Sequence, residues 1–377
     1  MGPGGNTRAM RRSIALVVTT GLLALVAGCT EDRSATTGSA PSGTVSTAAS
    51  PPSGSPASPS ATAPTSPTAR PTTATPTPSP TPSKKPDPIS VQALIEKDYN
   101  GGKLKLGRVI NRTDDYTSRI VTYRSEKLTV SGVMLVPDGK GPFPVLVLNH
   151  GYINPDTYFP GQGMPREHDY LARQGYVVFH TDYRGHASGD DDPDVDYELR
   201  LPYAVDTINA VYAVKRSTLD FLDGDRVGWL GRSMGGNVTL NALVAQPNLV
   251  DAAVIYASTS SLAAQNWKQF YDASDDRQSV NRKIDRTYGL PKDSPAFWKA
   301  ASPKTYFDRV SDPLLVHHGT ADDTCPITWS EDIVDTLEEK GKDVTFHRYK
   351  GAGHTFEGAT WQRSIERTVA FFDEHVN

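Results

Sequence analysis

The sequence has only two cysteines, Cys29 and Cys325, among 377 residues. Two cysteines cannot supply the disulfide framework of a small secreted domain. Basic charge is not in excess either: the net charge is −4, and because the first 88 residues carry +4, residues 89–377 carry −8. An acidic body lacks the positive surface that holds a nucleic-acid backbone, so we expect no nucleic-acid partner.

Long apolar runs are also missing. The run near the start, residues 14–27, follows Arg8, Arg11 and Arg12. At about 14 residues it is too short to span a bilayer and is typical of a signal peptide. It ends in Val26-Ala27-Gly28-Cys29, which resembles the lipobox of bacterial lipoproteins.

The lipobox resemblance implies that residues 1–28 are a lipoprotein signal peptide and that Cys29 carries lipid after cleavage. The protein would then be extracytoplasmic and held at the cell membrane through its lipid anchor only. An ordinary signal peptide followed by a chance cysteine is the alternative.

Residues 29–88 have no aromatic side chain, and 14 of the chain's 29 prolines lie between Pro41 and Pro88. A segment rich in Pro, Ser and Thr cannot bury enough apolar surface to offset the entropy of ordering. We therefore predict a disordered spacer over residues 29–88, which holds a folded domain away from the membrane surface.

Residues 89–377 have the length of one large domain in which strands and helices alternate. Runs typical of strands occur at residues 128–136, 144–149, 176–181, 226–231, 252–256, 314–317 and 344–349. Helical spacing occurs at residues 203–216, 237–246, 330–340 and 361–375. The alternation predicts an α/β domain with a doubly wound, mainly parallel sheet. Residues 258–312 interrupt it with several aromatics and are predicted to form a small helical insertion.

The first motif with chemical content is Gly231-Arg232-Ser233-Met234-Gly235, which lies between a predicted strand and a predicted helix. This placement is that of a nucleophile elbow, in which a strained turn lifts the serine hydroxyl above the sheet edge. The glycines two residues to either side leave room for the turn. Ser233 is therefore the candidate nucleophile.

An acid and a histidine follow Ser233 in the chain order that α/β hydrolases use. Asp322 and Asp323 both follow a predicted strand, and His354 lies in the loop after the last strand. The histidine would remove the serine proton, and an aspartate would fix the imidazole tautomer and stabilise its cation. Spacing alone leaves the two aspartates open. This chemistry involves no cofactor and no metal, and we expect neither.

The segment from His318 to Pro326, H-G-T-A-D-D-T-C-P, resembles the H-G-x-x-D-x-x-V-P segment of the prolyl oligopeptidase family. The resemblance covers roughly residues 127–376, implies an α/β-hydrolase fold and assigns the acid to Asp322. Cys325 stands where the family usually has valine, which favours a small buried residue over a second nucleophile.

The segment Asn149-His150-Gly151-Tyr152 stands where the family has H-G-G or Y-G-G. The resemblance implies an oxyanion hole made by the backbone N–H groups of Met234 and Tyr152. Tyr152 replaces a common second glycine but still supplies an N–H. His150 is interpreted as a hydrogen-bonded scaffold residue.

Members of this family cleave peptide, amide or ester bonds, and its peptidases usually carry an N-terminal β-propeller. This chain has a spacer there instead, and it also resembles single-domain esterases and dienelactone-hydrolase-like proteins. The sequence thus predicts a serine hydrolase that acts on a small ester or peptide through an acyl-enzyme, with esterase and peptidase both open. The alternative is a catalytically silent binding lipoprotein with the same fold.

Overall fold

A nine-stranded sheet forms the centre of the computed structural model, which describes residues 86–272, 274 and 277–377. Its strands are β1 (Gly102–Arg112), β2 (Tyr116–Ser125), β3 (Leu128–Pro137), β4 (Phe143–Asn149), β5 (Val177–Thr181), β6 (Leu222–Arg232), β7 (Ala252–Tyr256), β8 (Leu314–Gly319) and β9 (Val344–Tyr349). The strand order is β1-β2-β3-β5-β4-β6-β7-β8-β9. The pairs among β1, β2, β3 and β5 are antiparallel, and those from β5 across to β9 are parallel. The predicted doubly wound, mainly parallel sheet is confirmed.

Helices cover both faces of the sheet. They are α1 (Val91–Ile95), α2 (Pro165–Arg173), α3 (Leu201–Lys215), α4 (Met234–Ala245), α5 (Ala263–Trp267), α6 (Gln278–Tyr288), α7 (Pro295–Ala300), α8 (Ile327–Glu339) and α9 (Gly358–His375). Val145 and Val147 of β4 belong to the core beneath α1, α3, α4 and α8. Leu146 and Leu148 belong to the opposite core, beneath α2 and α9. Burial on both faces of the sheet explains why consecutive residues of β4 are apolar, instead of every second residue.

The region predicted to be a helical insertion lies between β7 and β8. It contains α5, a π-helical turn at Lys268–Asp272, α6, α7 and a 3₁₀ segment at Pro303–Arg309. Trp267, Tyr271, Ile284 and Trp298 form a small core of their own, separate from the two cores of the sheet. The aromatics that marked the insertion in the sequence are therefore largely the material of a satellite core.

The structure departs from the sequence pattern in two places. The antiparallel pair β1–β2 and the helices α1 and α2 were not predicted; β1 is an exposed edge strand with many polar residues, and α1 has only five residues. Helix α4 begins at Met234 rather than at residue 237, directly after the Ser233 turn. Both differences concern positions where the local pattern is weak or where a turn joins strand to helix without a loop.

The predicted signal peptide, Cys29 and most of the predicted spacer lie outside the described residues. Within the described part, Asp87 already belongs to the folded region, since its Oδ1 accepts a hydrogen bond from the Ile89 N–H and its carbonyl accepts one from the Ser90 hydroxyl. Ile89 is buried in the larger core. No helix in this described part is long and apolar enough to cross a bilayer.

The sheet topology places a crevice at the carboxyl end of β4. The chain leaves β4 toward β5 on one side, and β6 lies on the other side, so the strand order reverses at this point. In open α/β sheets, ligands bind outside the carboxyl ends of the strands at such a reversal. The loop after β4 and the turn after β6 are thus neighbours, with Asn149 paired to Gly231 in the register.

Candidate active site

Ser233 occupies a one-residue turn between β6 and α4. Its backbone has φ 55° and ψ −120°, a positive-φ conformation that residues other than glycine adopt only at a cost in free energy. The turn is held by hydrogen bonds from the Ser233 N–H to the Tyr256 carbonyl and from the Thr259 N–H to the Ser233 carbonyl. These bonds offset the strain and fix the side chain above the edge of the sheet.

The two glycines of the motif are required by close approach of other backbone segments. A Cβ on Gly235 would lie 1.9 Å from the Asn149 carbonyl oxygen, and a Cβ on Gly231 would lie 2.3 Å from the carbonyl oxygen of Gly235. Neither distance is compatible with any side chain. The packing of α4 against the end of β4 therefore depends on glycine at both positions.

Two loops converge on the Ser233 hydroxyl. His354 Nε2 lies 3.0 Å from Ser233 Oγ, and His354 Nδ1 lies 2.8 Å from Asp322 Oδ2. Because the carboxylate can only accept, Nδ1 carries the proton, and Nε2 is free to accept from the serine hydroxyl. The structure thus brings together the serine, the histidine and the first of the two candidate aspartates.

The loops that bear Asp322 and His354 are joined to each other. They follow the neighbouring parallel strands β8 and β9, and the Ala321 N–H donates to the Ala352 carbonyl at 2.9 Å. A Cβ on Gly319 would lie 2.2 Å from that same carbonyl oxygen. Glycine at the end of β8 allows the second loop to approach closely enough for the histidine to meet the carboxylate.

The Asp322 carboxylate is fully buried and is surrounded by donors. Its Oδ1 accepts from the Thr324 and Cys325 N–H groups, and its Oδ2 accepts from His354 and from His318 Nε2 at 3.1 Å. Burial alone would raise its pKa, but the hydrogen bonds from His318, His354 and the Cys325 N–H together hold it well below the ordinary value. The carboxylate therefore stays ionised beside the imidazole.

His318 belongs to the segment H-G-T-A-D-D-T-C-P, but no local pattern assigned it a role. It is buried, its Nε2 faces the Asp322 carboxylate and the Cys325 carbonyl, and its Nδ1 lies 2.6 Å from Ser330 Oγ. Since both neighbours of Nε2 are acceptors, Nε2 carries the proton and the Ser330 hydroxyl donates to Nδ1. The imidazole thereby fixes the orientation of the carboxylate.

Asp323 and Cys325 differ from Asp322 in their surroundings. Asp323 is exposed, and its carboxylate accepts a hydrogen bond from the Thr324 hydroxyl. Cys325 is buried, and its burial raises the pKa of the thiol to about 12, with a further contribution from the Asp322 charge. A thiol in that state is not a nucleophile at neutral pH, in keeping with its interpretation as a small buried residue.

The segment after β4 lies against the Ser233 turn. A Cβ on Gly151 would contact the Ser233 Cβ at 3.2 Å, so this glycine leaves the space beside the hydroxyl open. Among the described residues, none accepts a hydrogen bond from the backbone N–H of Tyr152 or Met234. Two unpaired donors thus flank the serine, one from each neighbouring segment.

His150 lies behind this segment, fully buried. Its Nδ1 lies 2.6 Å from the Gly151 carbonyl and its Nε2 lies 3.3 Å from the Asp182 carbonyl, while its ring stacks on Tyr158. Burial lowers the pKa of His150 to about 3, so the imidazole is neutral at physiological pH. Its position supports the scaffold interpretation.

A cavity of about 880 Å³ opens in front of Ser233 and His354. The segment after β4 contributes Tyr152 to its wall, and the insertion contributes Phe270 and Tyr271. The insertion aromatics therefore divide between the satellite core and the cavity wall, and Tyr271 belongs to both. Two arginines that the sequence had not singled out, Arg200 and Arg277, also line this cavity.

The acidic run at residues 190–198 lies between β5 and α3 and is joined to its surroundings by ion pairs. Asp192 pairs with Arg184, Asp194 with Lys283, and Asp196 with both Arg200 and Arg277. No group of three or more His, Cys, Asp or Glu side chains within the described ranges is placed to hold a metal ion.

Comparison with known proteins places the chain in a family. Residues 164–377, more than half of the chain, match the prolyl oligopeptidase family. The uncharacterized peptidase YuxL of Bacillus subtilis (strain 168) is 28% identical over 297 residues, which are 74% of this chain and 42% of that protein. Dipeptidyl aminopeptidase BIII of Pseudoxanthomonas mexicana is 28% identical over 235 residues, 58% of this chain and 31% of that protein. This chain thus spans less than half the length of either relative.

A solved structure of similar fold is acetyl xylan esterase 1 from Thermoanaerobacterium sp. JW/SL YS485. It superimposes with a TM-score of 0.57 and 18% identity, over 74% of this chain and 92% of the esterase. At that identity the likeness concerns the fold alone, which is that of the α/β hydrolases. The family match is consistent with the resemblance recognised in the segment from His318 to Pro326, and the chain belongs to the prolyl oligopeptidase family.

Proposed function

We propose that this chain is a serine hydrolase that cleaves an ester or peptide bond in a small substrate through an acyl-enzyme, with Ser233, His354 and Asp322 as its catalytic triad. The observation that carries the proposal is the continuous hydrogen-bonded path from Ser233 Oγ through His354 to Asp322 Oδ2. It opens into a cavity large enough for a small substrate. A serine hydroxyl is a weak nucleophile, and an adjacent oriented base is what activates it.

In the first half-reaction, His354 Nε2 takes the proton as Ser233 Oγ attacks the substrate carbonyl carbon. The imidazole becomes positively charged, and Asp322 stabilises it without itself taking the proton. The low pKa of Asp322, held by the hydrogen bonds from His318, His354 and the Cys325 N–H, keeps the negative charge in place. His318 acts on the reaction only through the carboxylate that it orients.

The negative charge that develops on the carbonyl oxygen needs donors that are already in position. The backbone N–H groups of Met234 and Tyr152 are proposed for this role, because both flank Ser233 and neither is paired within the described structure. Collapse of the tetrahedral intermediate expels the leaving group, which receives the proton from His354. Water then attacks the acyl-enzyme by the same route in reverse.

The substrate is proposed to be a small ester or a short peptide. The matched relatives are peptidases by name, whereas the structural neighbour of similar length is an esterase. A panel of p-nitrophenyl esters and aminoacyl p-nitroanilides separates the two activities by their kcat/KM values.

The decisive test is Ser233→Ala. We expect loss of fluorophosphonate labelling and a fall in kcat of about 10⁴- to 10⁶-fold, because the nucleophile is removed while the glycine-flanked turn still accommodates the side chain. Ser217→Ala, between α3 and the amino end of β6, is the matched control and should behave as the parent protein. An unchanged melting temperature in both variants would show that the loss is chemical.

A catalytically silent binding protein with this fold gives the opposite result. It would show neither labelling nor turnover in the parent chain, and Ser233→Ala would change nothing. Full activity of Ser233→Ala would instead keep the enzyme but remove Ser233 as its nucleophile.

We further propose that the protein is exported and anchored through lipid on Cys29, with residues 1–28 as signal peptide and 29–88 as spacer. The support is the basic start, the short apolar run and the small residues before the cysteine. Cys29→Ala should move the protein from the membrane fraction to the soluble extracytoplasmic fraction. The result counts once cleavage of the signal peptide is verified by mass, and retention in the membrane after such cleavage would contradict the anchor.

A further inference from the structure

Two arginines and two tyrosines form a cluster in the wall of the cavity that contains Ser233. The guanidinium carbon of Arg200 lies 4.4 Å from the ring centre of Tyr152 and 5.2 Å from that of Tyr271. The guanidinium carbon of Arg277 lies 4.9 Å and 4.7 Å from the same two rings. Each cation thus contacts both aromatic rings, which holds the two positive charges close together.

One carboxylate serves both cations. Arg200 Nε lies 2.7 Å and Arg277 Nη1 lies 3.3 Å from the same oxygen, Oδ1 of Asp196, which also accepts from the Tyr271 hydroxyl at 3.3 Å. The only other acid among the described residues that line the cavity is Asp156, which is exposed at its rim and forms no ion pair with either arginine. Among the described residues, the buried part of the wall therefore holds two positive charges against one negative charge.

Arg200 retains unused hydrogen-bonding capacity. Its side chain is only 11% exposed, and its Nη2 is buried without a hydrogen-bond partner, while its Nη1 meets only the Met234 sulfur at 3.4 Å. A buried guanidinium N–H without an acceptor is unfavourable, and a ligand oxygen would relieve it. The contact with Met234 places this unsatisfied group beside the nucleophile turn.

The backbone that presents Arg200 is strained. Leu199 and Arg200 both have left-handed conformations, with φ 53° and 59°, directly before α3. Two consecutive residues of this kind cost free energy and occur where the surrounding structure enforces them. Here the strain directs the arginine into the cavity rather than out to solvent.

We propose that Arg200 and Arg277 form a carboxylate-recognition site, so that the substrate carries a carboxylate close to the bond that is cleaved. The inference rests on the proposed hydrolase function and narrows its substrate class. A planar carboxylate matches the guanidinium fork and can accept two N–H groups at once. It would also neutralise the excess positive charge, whereas an amide of the same size would not.

The carboxylate can belong to either half of the substrate, and two matched pairs distinguish the sources. On the acyl side, the p-nitrophenyl esters of N-benzyloxycarbonyl glutamate and glutamine are compared. On the leaving-group side, Ala-Phe is compared with Ala-Phe amide. In one of the pairs we expect the acid to have a kcat/KM about 10-fold above that of its amide, the ratio that one charge-assisted hydrogen bond supplies.

Arg277→Gln should reduce that ratio toward 1, because only the charged substrate uses the guanidinium. Arg286→Gln removes the same charge from an exposed position of the nearby helix α6 and is the control. It should leave the ratio unchanged. A ratio that falls equally in both variants would indicate a long-range field and would overturn the site.

The wild-type full-length protein decides the question even if Arg277→Gln folds poorly. Equal or lower kcat/KM for the acid in both pairs overturns the inference, and the hydrolysis of the amides shows meanwhile that the proposed function stands. If neither member of any pair is hydrolysed, the proposed function fails instead. Calorimetry on Ser233→Ala with glutarate and glutaramide then tests recognition alone, and tighter binding of glutarate supports the site while equal binding overturns it.

Discussion

Two buried aspartates lie at opposite ends of strand β8, and their carboxyl groups behave in opposite ways. Asp312 comes just before the strand and is 4% exposed, while Asp322 comes just after it with a fully buried side chain. Burial raises the pKa of Asp312 to about 6. The pKa of Asp322 is held well below its ordinary value.

Their partners explain the difference. Asp312 Oδ2 accepts from the Asn248 N–H and from the Ser311 hydroxyl, both at 3.3 Å, and neither donor is charged. Asp322 accepts from two N–H groups at 2.8 and 2.9 Å and from two histidines. At Asp322, short hydrogen bonds to the ionised carboxylate outweigh the cost of desolvation. At Asp312, the longer hydrogen bonds do not.

A perturbed pKa does not by itself locate a site in this fold. Asp312 has a shifted pKa but lies at the amino end of β8, where its hydrogen-bond partners among the described residues are Asn248 and Ser311 and no histidine is one of them. Asp322 lies at the carboxyl end, where the loops after β8 and β9 meet. Geometry selects the functional group, and its pKa then indicates the role that it can play.

The largest effect on activity should come from a substitution at the carboxyl end of β8. Asp322→Asn should lower kcat by about 10⁴-fold, because an amide cannot stabilise the imidazolium and favours the wrong tautomer of His354. Asp323→Asn, the adjacent exposed residue, should stay within about threefold of the parent enzyme by the small effect expected of surface changes. Steady-state hydrolysis of a p-nitrophenyl ester measures both, and the reverse ranking would transfer the role to Asp323.

A smaller effect, on stability rather than activity, should come from a substitution at the amino end of β8. The folded state binds a proton at Asp312 more tightly than the unfolded chain does, since its pKa of about 6 exceeds the ordinary 3.8. Its contribution is therefore favourable below pH 4 and is lost as the pH rises through 6. Asp312→Asn should raise the free energy of unfolding at pH 7.5 by up to about 3 kcal/mol, the equivalent of that difference in pKa.

Urea unfolding at pH 4 and pH 7.5 checks the sign. The advantage of Asp312→Asn should disappear at pH 4, where the parent carboxyl group is already protonated, and kcat/KM should be unchanged. Equal stabilisation at both pH values, or destabilisation at pH 7.5, would show that burial of the charge is not the cause.

The smallest effect should follow removal of everything before Pro86. The proposed catalytic groups all lie beyond residue 150, and among the described residues the first that pack are Asp87 to Ser90. A shortened chain that begins at Pro86 should keep the parent kcat/KM on a small ester and the parent melting temperature. Shortening further to Val91 should lower the melting temperature, because it removes the buried Ile89 and the Ser90 cap of α1.

Much of the fold was predictable because its signals are local. Short apolar runs such as β4 and β7 indicate strands buried on both faces, and their alternation with helical spacing leaves few topologies. The edge pair β1–β2 lacked that signal, because its outer strand is exposed and polar. Helix α2 was not predicted, although its apolar residues pack against the sheet.

The residues of the site also fall into two groups, those marked by local motifs and those that only the fold brings together. Ser233 and His354 were identified from short motifs, and Asp322 was chosen over Asp323 by family resemblance. His318 stood in a quoted motif, yet its contact with the carboxylate depends on how the loop folds back. Arg200 and Arg277 lie 77 positions apart and meet only through Tyr152, Tyr271 and Asp196, so no local pattern marks them.

Local sequence patterns were enough to predict the strands β3 to β9, the glycine-flanked serine turn and the excess of acid in the domain. The strands and the turn depend on residues a few positions apart, where sterics and side-chain periodicity act directly, and the charge follows from composition. Contacts in the folded domain determine which aspartate meets His354, which groups hold that aspartate in place, and which charges line the cavity. Those choices depend on contacts between segments far apart in the chain, and only the packed sheet, with the loops after β8 and β9 brought together at its edge, sets their distances.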